Sequence, residues 1–352
     1  MLFSLPRWSV LALPTVALLL VSAGCGRPEA RPAPDSTPEP GTATSAGPTR
    51  SGDAPVRLAG AKLFVDPTGA AAEQVTAWEN AGRTDDADRI RRISEQPAAV
   101  WITDPTAQVQ SAVDAVLTRA AGSGGMPVLV AYHIPGRDCG SFSGGGAPDG
   151  DDYRTWIRNF AAGIGSRPVT VIVEPDAVAH SLDDCADGDD RLALLADAVA
   201  VLKQTGTAQV YLDAGHPRWV RDVSRLSRAL RAAGIEQADG FTLNVSNFIR
   251  TSENVDYGRR LSDALGGRTR FVVDTSRNGA GPVERATVDG GPAWCNPPGR
   301  RLGAAPTTSA GLDRVDALLW IKRPGESDGA CRPGEPPAGR WWSDYALRLA
   351  GD

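Results

Sequence analysis

The residues best suited to chemistry in this chain are carboxylates placed at the ends of apolar runs. Val171-Ile172-Val173 runs into Glu174-Pro175-Asp176, and Val128-Leu129-Val130 leads through Tyr132 to Arg137-Asp138. Val210-Tyr211-Leu212 ends at Asp213, and Phe271-Val272-Val273 ends at Asp274. Leu318-Leu319-Trp320-Ile321 leads through Lys322 to Glu326 and Asp328. Runs of this kind read as strands buried on both faces, the signature of parallel sheets. Acids that end several such strands gather at one end of one sheet, where parallel α/β folds place their active sites. With 3 histidines in 352 residues, that pocket suits proton transfer better than metal or cofactor chemistry.

Asp176 is the leading proton donor. Such an acid must stay protonated near neutral pH, which burial and neighbouring carboxylates achieve. Its structural alternative is a helix cap or an ion pair; the gathering of several acids, Asp138 and Asp213 among them, favours the chemical role. Asp138 follows Arg137, which could simply neutralise it; the functional reading has Asp138 keeping Asp176 protonated or ordering a water. The loop Gly140-Ser141-Phe142-Ser143-Gly144-Gly145-Gly146 is permissive enough to move over a ligand. Asp328 is a second candidate carboxylate, its alternative an Asp-Gly turn with Gly329. His216 reads as a hydrogen-bonding residue rather than a metal ligand. Trp101, Trp219, Trp294 and Trp320 stand near the ends of these motifs, where flat aromatic faces beside polar groups suit sugar rings; Trp320 reads as core.

The elements that must position these residues alternate. Val109, Val113, Val116, Leu117 and Ala120 share a helical face, as do Leu192, Leu195, Val199 and Leu202, and Leu226, Leu230 and Ala233. Between them lie expected strands at Lys62–Val65, Ala99–Ile102, Pro127–Tyr132, Thr170–Val173, Gln209–Asp213, Gly240–Asn244, Arg270–Asp274 and Ala317–Lys322. The pattern predicts an α/β fold, a distorted parallel (β/α) barrel of seven or eight strands in a single catalytic domain. An open doubly wound sheet is the alternative, weakened because no glycine-rich nucleotide fingerprint follows the first strand.

Residues 1–25 read as an export signal: Arg7, an apolar stretch, then Ser22-Ala23-Gly24-Cys25. Cys25 resembles a lipidated lipoprotein cysteine, with ordinary signal cleavage as the alternative. Residues 26–57, rich in Pro, Thr, Ser and Gly, read as a disordered tether, and 58–352 as the folded domain. The four remaining cysteines, Cys139, Cys185, Cys295 and Cys331, suggest two disulfides with three possible connectivities. Their spacing is poor for zinc. Net charge is −5 with no basic run, which speaks against nucleic acid.

Taken together, Tyr132–Cys139, Val171–Asp176, Tyr211–His216 with Trp219, Gly240–Phe248, Phe271–Gly279, Trp294–Arg300 and Trp320–Gly329 resemble glycoside hydrolase family 6, the secreted β-1,4-glucanases. The motifs fall in the family's order and cover nearly all of 60–350. The resemblance implies inverting hydrolysis by a distorted barrel, with Asp176 as general acid, Asp138 raising its pKa and helping to position the water, and Asp328 at the position proposed, with dispute, as base. It implies substrate contacts at Trp101, Tyr132, Asp213, His216, Trp219, Asn244, Trp294, Lys322 and Glu326, and disulfides Cys139–Cys185 and Cys295–Cys331. An inverting pair stands ~6.5–9.5 Å apart to admit water. Gly144 departs from the family, which carries a water-holding serine there; Ser143 stands beside it. The implied partner is a β-1,4-glucan, cut internally because the loops look short, with membrane contact only through a lipid at Cys25. No cofactor or metal is expected, and the chain is expected to act as a monomer, exported to the cell surface or secreted. The alternatives are a glucan-binding lipoprotein without catalysis, and a metal-dependent hydrolase disfavoured by the scarcity of histidine.

Overall fold

The computed structural model describes residues 57–183, 185 and 188–351. Cys25, the export signal and the tether up to residue 56 lie outside them. In chain order the elements are α1 (Ala70–Asn80), α2 (Thr84–Ser94), β1 (Val100–Ile102), α3 (Val109–Ser123), β2 (Val128–Ala131), α4 (Gly150–Ile164), β3 (Val169–Val173), α5 (Ala177–His180) and α6 (Gly188–Lys203). There follow β4 (Ala208–Asp213), α7 (Val223–Ala232), β5 (Gly240–Leu243), α8 (Thr251–Ala264), β6 (Arg270–Asp274), β7 (Thr287–Val288), β8 (Gly291–Pro292), β9 (Val315–Leu319) and α9 (Ser343–Ala350).

Seven strands form one parallel sheet in the order β1-β2-β3-β4-β5-β6-β9, and β7–β8 is a separate small hairpin. The sheet curls until its edges meet at a single point. Ala98 bridges Trp320, the Ala99 N–H donates to the Trp320 carbonyl at 2.9 Å, and the Trp101 indole donates to the Ile321 carbonyl at 2.8 Å. The barrel is therefore distorted, joined by a bridge rather than a ladder. The eighth candidate strand, Lys62–Val65, is corrected: Leu63 makes only an isolated bridge to Met126. Pro67 follows shortly after, and proline has no N–H to extend a ladder.

Period-two alternation divides each strand between two apolar layers. Val128, Val130, Ile172, Tyr211, Val272, Leu319 and Ile321 fill the inside of the curl. Leu129, Val171, Val173, Val210, Leu212, Phe241, Phe271 and Val273 face outward into the larger core, against the buried faces of α3, α4, α6 and α7, including Val113, Leu117, Trp156, Phe160, Leu195 and Leu226. A third cluster joins α1, α2 and α9 around Trp78, Ile90 and Trp320, so Trp320 is core. The seven strands of the sheet thus run the same way through an apolar layer, and their exits collect on one rim.

One close approach packs a helix onto the sheet. Gly258 on α8 lies over the Phe271 ring, which stacks on Phe241 at 5.2 Å, and a Cβ at Gly258 would come within 2.5 Å of that ring. Alanine improves helix propensity by ~1 kcal/mol, while overpacking a filled core costs about 1–3 kcal/mol. Gly258→Ala is therefore expected to lower stability by about 1–2 kcal/mol in urea unfolding. A stabilised variant would contradict this packing.

Candidate active site

The rim is built from strained strand exits. After β3, Glu174 and Asp176 adopt φ +45° and +72°, left-handed values that non-glycine residues hold only at a cost of about 1–3 kcal/mol each. The two side chains then do different work. Glu174 is fully buried, and its carboxylate accepts from the backbone N–H groups of His133 (2.9 Å) and Ile134 (3.0 Å). Asp176 is partly exposed and lines the cleft. The Asp176 backbone N–H donates to Asp213 Oδ2 at 2.8 Å, and the Gly215 N–H reaches the same oxygen at 3.3 Å. Burial, reinforced by the charges of Asp213 and Asp138, pushes the Asp176 carboxyl well above the usual aspartate range. Burial pushes Asp213 up to about 7. Asp176 therefore carries a proton where an ordinary aspartate would not.

Asp138 enters on the loop after β2, in a short 3₁₀ turn at Asp138–Gly140. The Cys139–Cys185 disulfide fastens this turn to the segment after α5. Ser143 donates both its N–H and its hydroxyl to Asp138 Oδ2, each at 2.8 Å, and the Tyr132 hydroxyl meets Ser143 Oγ at 3.0 Å. Arg137 does not neutralise its neighbour. Its donors go to the carbonyls of Tyr132, Ser143 and Gly144, and its guanidinium lies over the Tyr132 ring at 4.6 Å. A Cβ at Gly144 would come within 2.9 Å of Gly140 Cα, so in this loop conformation the hydroxyl beside Asp138 belongs to Ser143. Single ligand atoms of Asp138, Asp176 and His180 all lie within 4.8 Å of one another. Oxygens that close leave little room for an attacking water between them.

Asp328 sits differently from the expectation of a base. Its side chain is 6% exposed and bridges Arg277 Nη1 (2.8 Å) and Lys322 Nζ (3.2 Å), while the Asn296 N–H donates to it at 3.0 Å. Despite burial, those two cations hold its carboxyl below the usual range. A carboxylate bound to two cations is a weakened proton acceptor. Asp213 and Asn244 are also displaced from the expected substrate contacts. Both are fully buried and neither lines the cleft. Asp213 supports the Asp176 turn, and Asn244 donates to the Asp274 carbonyl at 2.7 Å and accepts from the Ile249 N–H at 3.0 Å. Asp274 accepts the N–H groups of Ser246, Ser276 and Lys322, tying three strand exits together.

The remaining candidates, Trp101, Tyr132, His216, Trp219, Trp294, Lys322 and Glu326, line one cleft of 1090 Å³ with Asp138, Asp176 and Asp328. Burial lowers His216 to about 4, so it is a neutral hydrogen-bonding group at neutral pH. Burial raises Glu326, which pairs with Arg323 at 2.8 Å. Trp101 meets Tyr132 edge-on at 5.0 Å, Trp219 donates to Asp183 at 3.2 Å, and Trp294 is 46% exposed against Phe142 on the facing loop. The second disulfide, Cys295–Cys331, holds the Trp294 loop to the Asp328 segment. Both cysteine pairs are as the family resemblance implied. Sequence reasoning missed His180, Phe142 and Arg277. His180 was findable, since it stands four residues after Asp176 and a helical turn brings such residues together; nothing local marks Arg277, which meets Asp328 across 51 positions.

A raised carboxyl beside other acids on a tryptophan-walled cleft is the equipment of a glycosidase. The sequence profile of the glycosyl hydrolases family 6 matches residues 58–352. The chain is 43% identical to endoglucanase A of Cellulomonas fimi over 290 residues, 82% of this chain and 60% of that protein. It is 39% identical to endoglucanase 1 of Streptomyces halstedii over 295 residues, 82% of this chain and 88% of that one. The solved structure of the endoglucanase Cel6 from Mycobacterium tuberculosis, in complex with methyl-cellobiosyl-4-deoxy-4-thio-β-D-cellobioside, is similar with a TM-score of 0.77 and 44% identity, covering 83% of this chain and 97% of that chain. The chain belongs to glycosyl hydrolases family 6.

The Arg277–Asp328–Lys322 cluster should hold the rim together. Arg277 is fully buried, and removing one partner of a buried pair costs about 3–5 kcal/mol. Arg277→Met should lose that amount in urea unfolding at neutral pH. Because the folded Asp328 value is depressed, the stabilisation is fully present above the ordinary aspartate range and fades only as pH falls through the depressed value. An unchanged unfolding midpoint would contradict it.

Proposed function

We propose that this protein hydrolyses internal β-1,4-glucosidic bonds of cellulose or a related glucan, with inversion at the anomeric carbon. The observation that carries this reading is the Asp176 carboxyl, held protonated on the floor of the cleft by burial and by Asp213 and Asp138. In the proposed reaction Asp176 gives its proton to the glycosidic oxygen as the bond from that oxygen to the anomeric carbon breaks. A water adds to the opposite face of the sugar and releases its proton to bulk water. Asp138, bonded to Ser143, stands beside the acid and raises its proton affinity. Trp101, Trp219 and Trp294 offer flat faces to the sugar rings, and Lys322, Glu326 and His216 offer polar contacts to hydroxyls. The names of the relatives at 39% and 43% identity support internal cutting, and the cellobiosyl compound bound to the Mycobacterium tuberculosis protein supports a β-glucan.

Two disulfides suit an oxidising compartment outside the cytosol. In this reading the N-terminal segment exports the chain and Cys25 carries a lipid anchor, with residues 26–57 as the tether. Palmitate labelling should then be present in the full chain and lost in Cys25→Ser; labelling that persists would remove the anchor.

Catalysis is tested by release of reducing ends from carboxymethylcellulose and by NMR of the products of cello-oligosaccharides. The wild type should release the α-anomer first, and Asp176→Ala should lower kcat about 10²–10⁴-fold while still binding oligosaccharide. A wild type that binds but does not cut would leave only the glucan-binding reading.

A further inference from the structure

The segment joining the end of β2 to Asp138 is gripped from two sides by buried ionisable groups that do not line the cleft. On one side is Glu174, fully buried, whose two oxygens take the N–H groups of His133 and Ile134 at 2.9–3.0 Å. On the other is Arg191 of α6, 5% exposed, whose Nη2 donates to the carbonyls of Pro135 and Gly136, both at 3.2 Å. Four consecutive residues are thereby held, two by their donors and two by their acceptors. Gly136 has φ +61°, which favours glycine, and a Cβ there would lie 3.3 Å from Arg191 Nη2 and press on it. The next residues are Arg137 and Asp138.

Glu174 also stands two residues before Asp176 on the same strained exit. The carboxylate that fixes the Asp138 segment is thus covalently tied, through Pro175, to the backbone that carries the acid. We infer that Glu174 and Arg191 form a clamp that sets the position of Asp138 against Asp176, and that both are positioning residues for the reaction proposed above. This inference rests on that reading of Asp138 and Asp176. The segment contains Pro135 and Gly136 and belongs to no strand or helix; besides the clamp, the Ala147 N–H donates to the His133 carbonyl at 2.7 Å and the Arg137 N–H to the Gly145 carbonyl at 3.1 Å. The clamp does not touch substrate: neither Glu174 nor Arg191 lines the cleft.

The clamp has a readout that plain stability would not move. Asp176 is faced by Asp138, Asp213, His180 and Tyr132, and Glu174 by Tyr153, Arg137 and Arg191. Asp138 is one of the charges that keep Asp176 protonated. If the segment drifts, that charge recedes, Asp176 ionises more easily, and the general-acid form is lost at lower pH. The alkaline limb of kcat/KM should then move toward acid.

The test uses Glu174→Gln, Arg191→Met and the conservative Arg191→Lys, assayed on cello-oligosaccharides. Glu174→Gln and Arg191→Met should fold, lower kcat by about 10- to 100-fold with KM changed less than about twofold, and shift the alkaline limb to lower pH. Arg191→Lys, which can still donate to the two carbonyls, should recover much of the rate and the wild-type limb. Folded variants with the wild-type kcat and limb would overturn the clamp, as would a rise in KM alone. Failure of both non-conservative variants to fold would assign the pair to stability and overturn it too. An inactive wild type would instead sink the hydrolase reading itself.

Discussion

Three aspartates, Asp138, Asp176 and Asp213, lie close together at the rim, where burial and neighbouring charge raise Asp176. Like charges at short range in a low-dielectric setting raise one another's proton affinity, and burial adds to the effect for Asp176 and Asp213. The rest of the structure follows from keeping this arrangement intact. Asp213 lies behind the wall, where the Asp176 and Gly215 N–H groups hold it. Asp138 lies in front, bonded to Ser143. Asp176 faces the cleft between them. The proton that Asp176 holds is a consequence of crowding that the fold enforces.

The enforcement is layered. A parallel sheet sends every strand exit to one rim, and the positive-φ residues Asp138, Glu174, Asp176, Asn244 and Ser246 lie at or just beyond those exits. Non-glycine residues stay in such conformations only where surrounding bonds over-determine them. Asp274 supplies some of those bonds, gathering N–H groups from Ser246, Ser276 and Lys322. The disulfides act on the next layer out, fastening the Asp138 turn and the Trp294 loop. Opposite the acids, Arg277 and Lys322 hold Asp328 ionised. The rim therefore pairs a crowded acid group with a neutralised one, and only the first has a proton to give.

Much of this was legible from residue order alone, because apolar runs ending in acids report both strand direction and the shared rim. Seven of the eight expected strands formed, and Asp176 and Asp138 came together as expected. What could not be read was which way each side chain turns once the strand ends. Asp213 and Asn244 stand in motifs resembling substrate-contact positions, yet a left-handed residue or a tight turn aims them behind the wall. The pairing of Asp328 could not be read because its cationic partner Arg277 is 51 positions away. Lys62–Val65 has the composition of a strand, but Pro67 follows too soon for a ladder to grow.

The account stands on Asp176 being protonated where ordinary aspartates are ionised. Its carboxyl can be followed directly, by NMR of protein carrying ¹³C-labelled aspartate, with Asp176→Asn identifying the resonance. The account predicts that the resonance lost in that variant keeps its proton well above the ordinary range near 3.9, with Asp213 a second raised aspartate. An Asp176 resonance titrating within the ordinary range would contradict it.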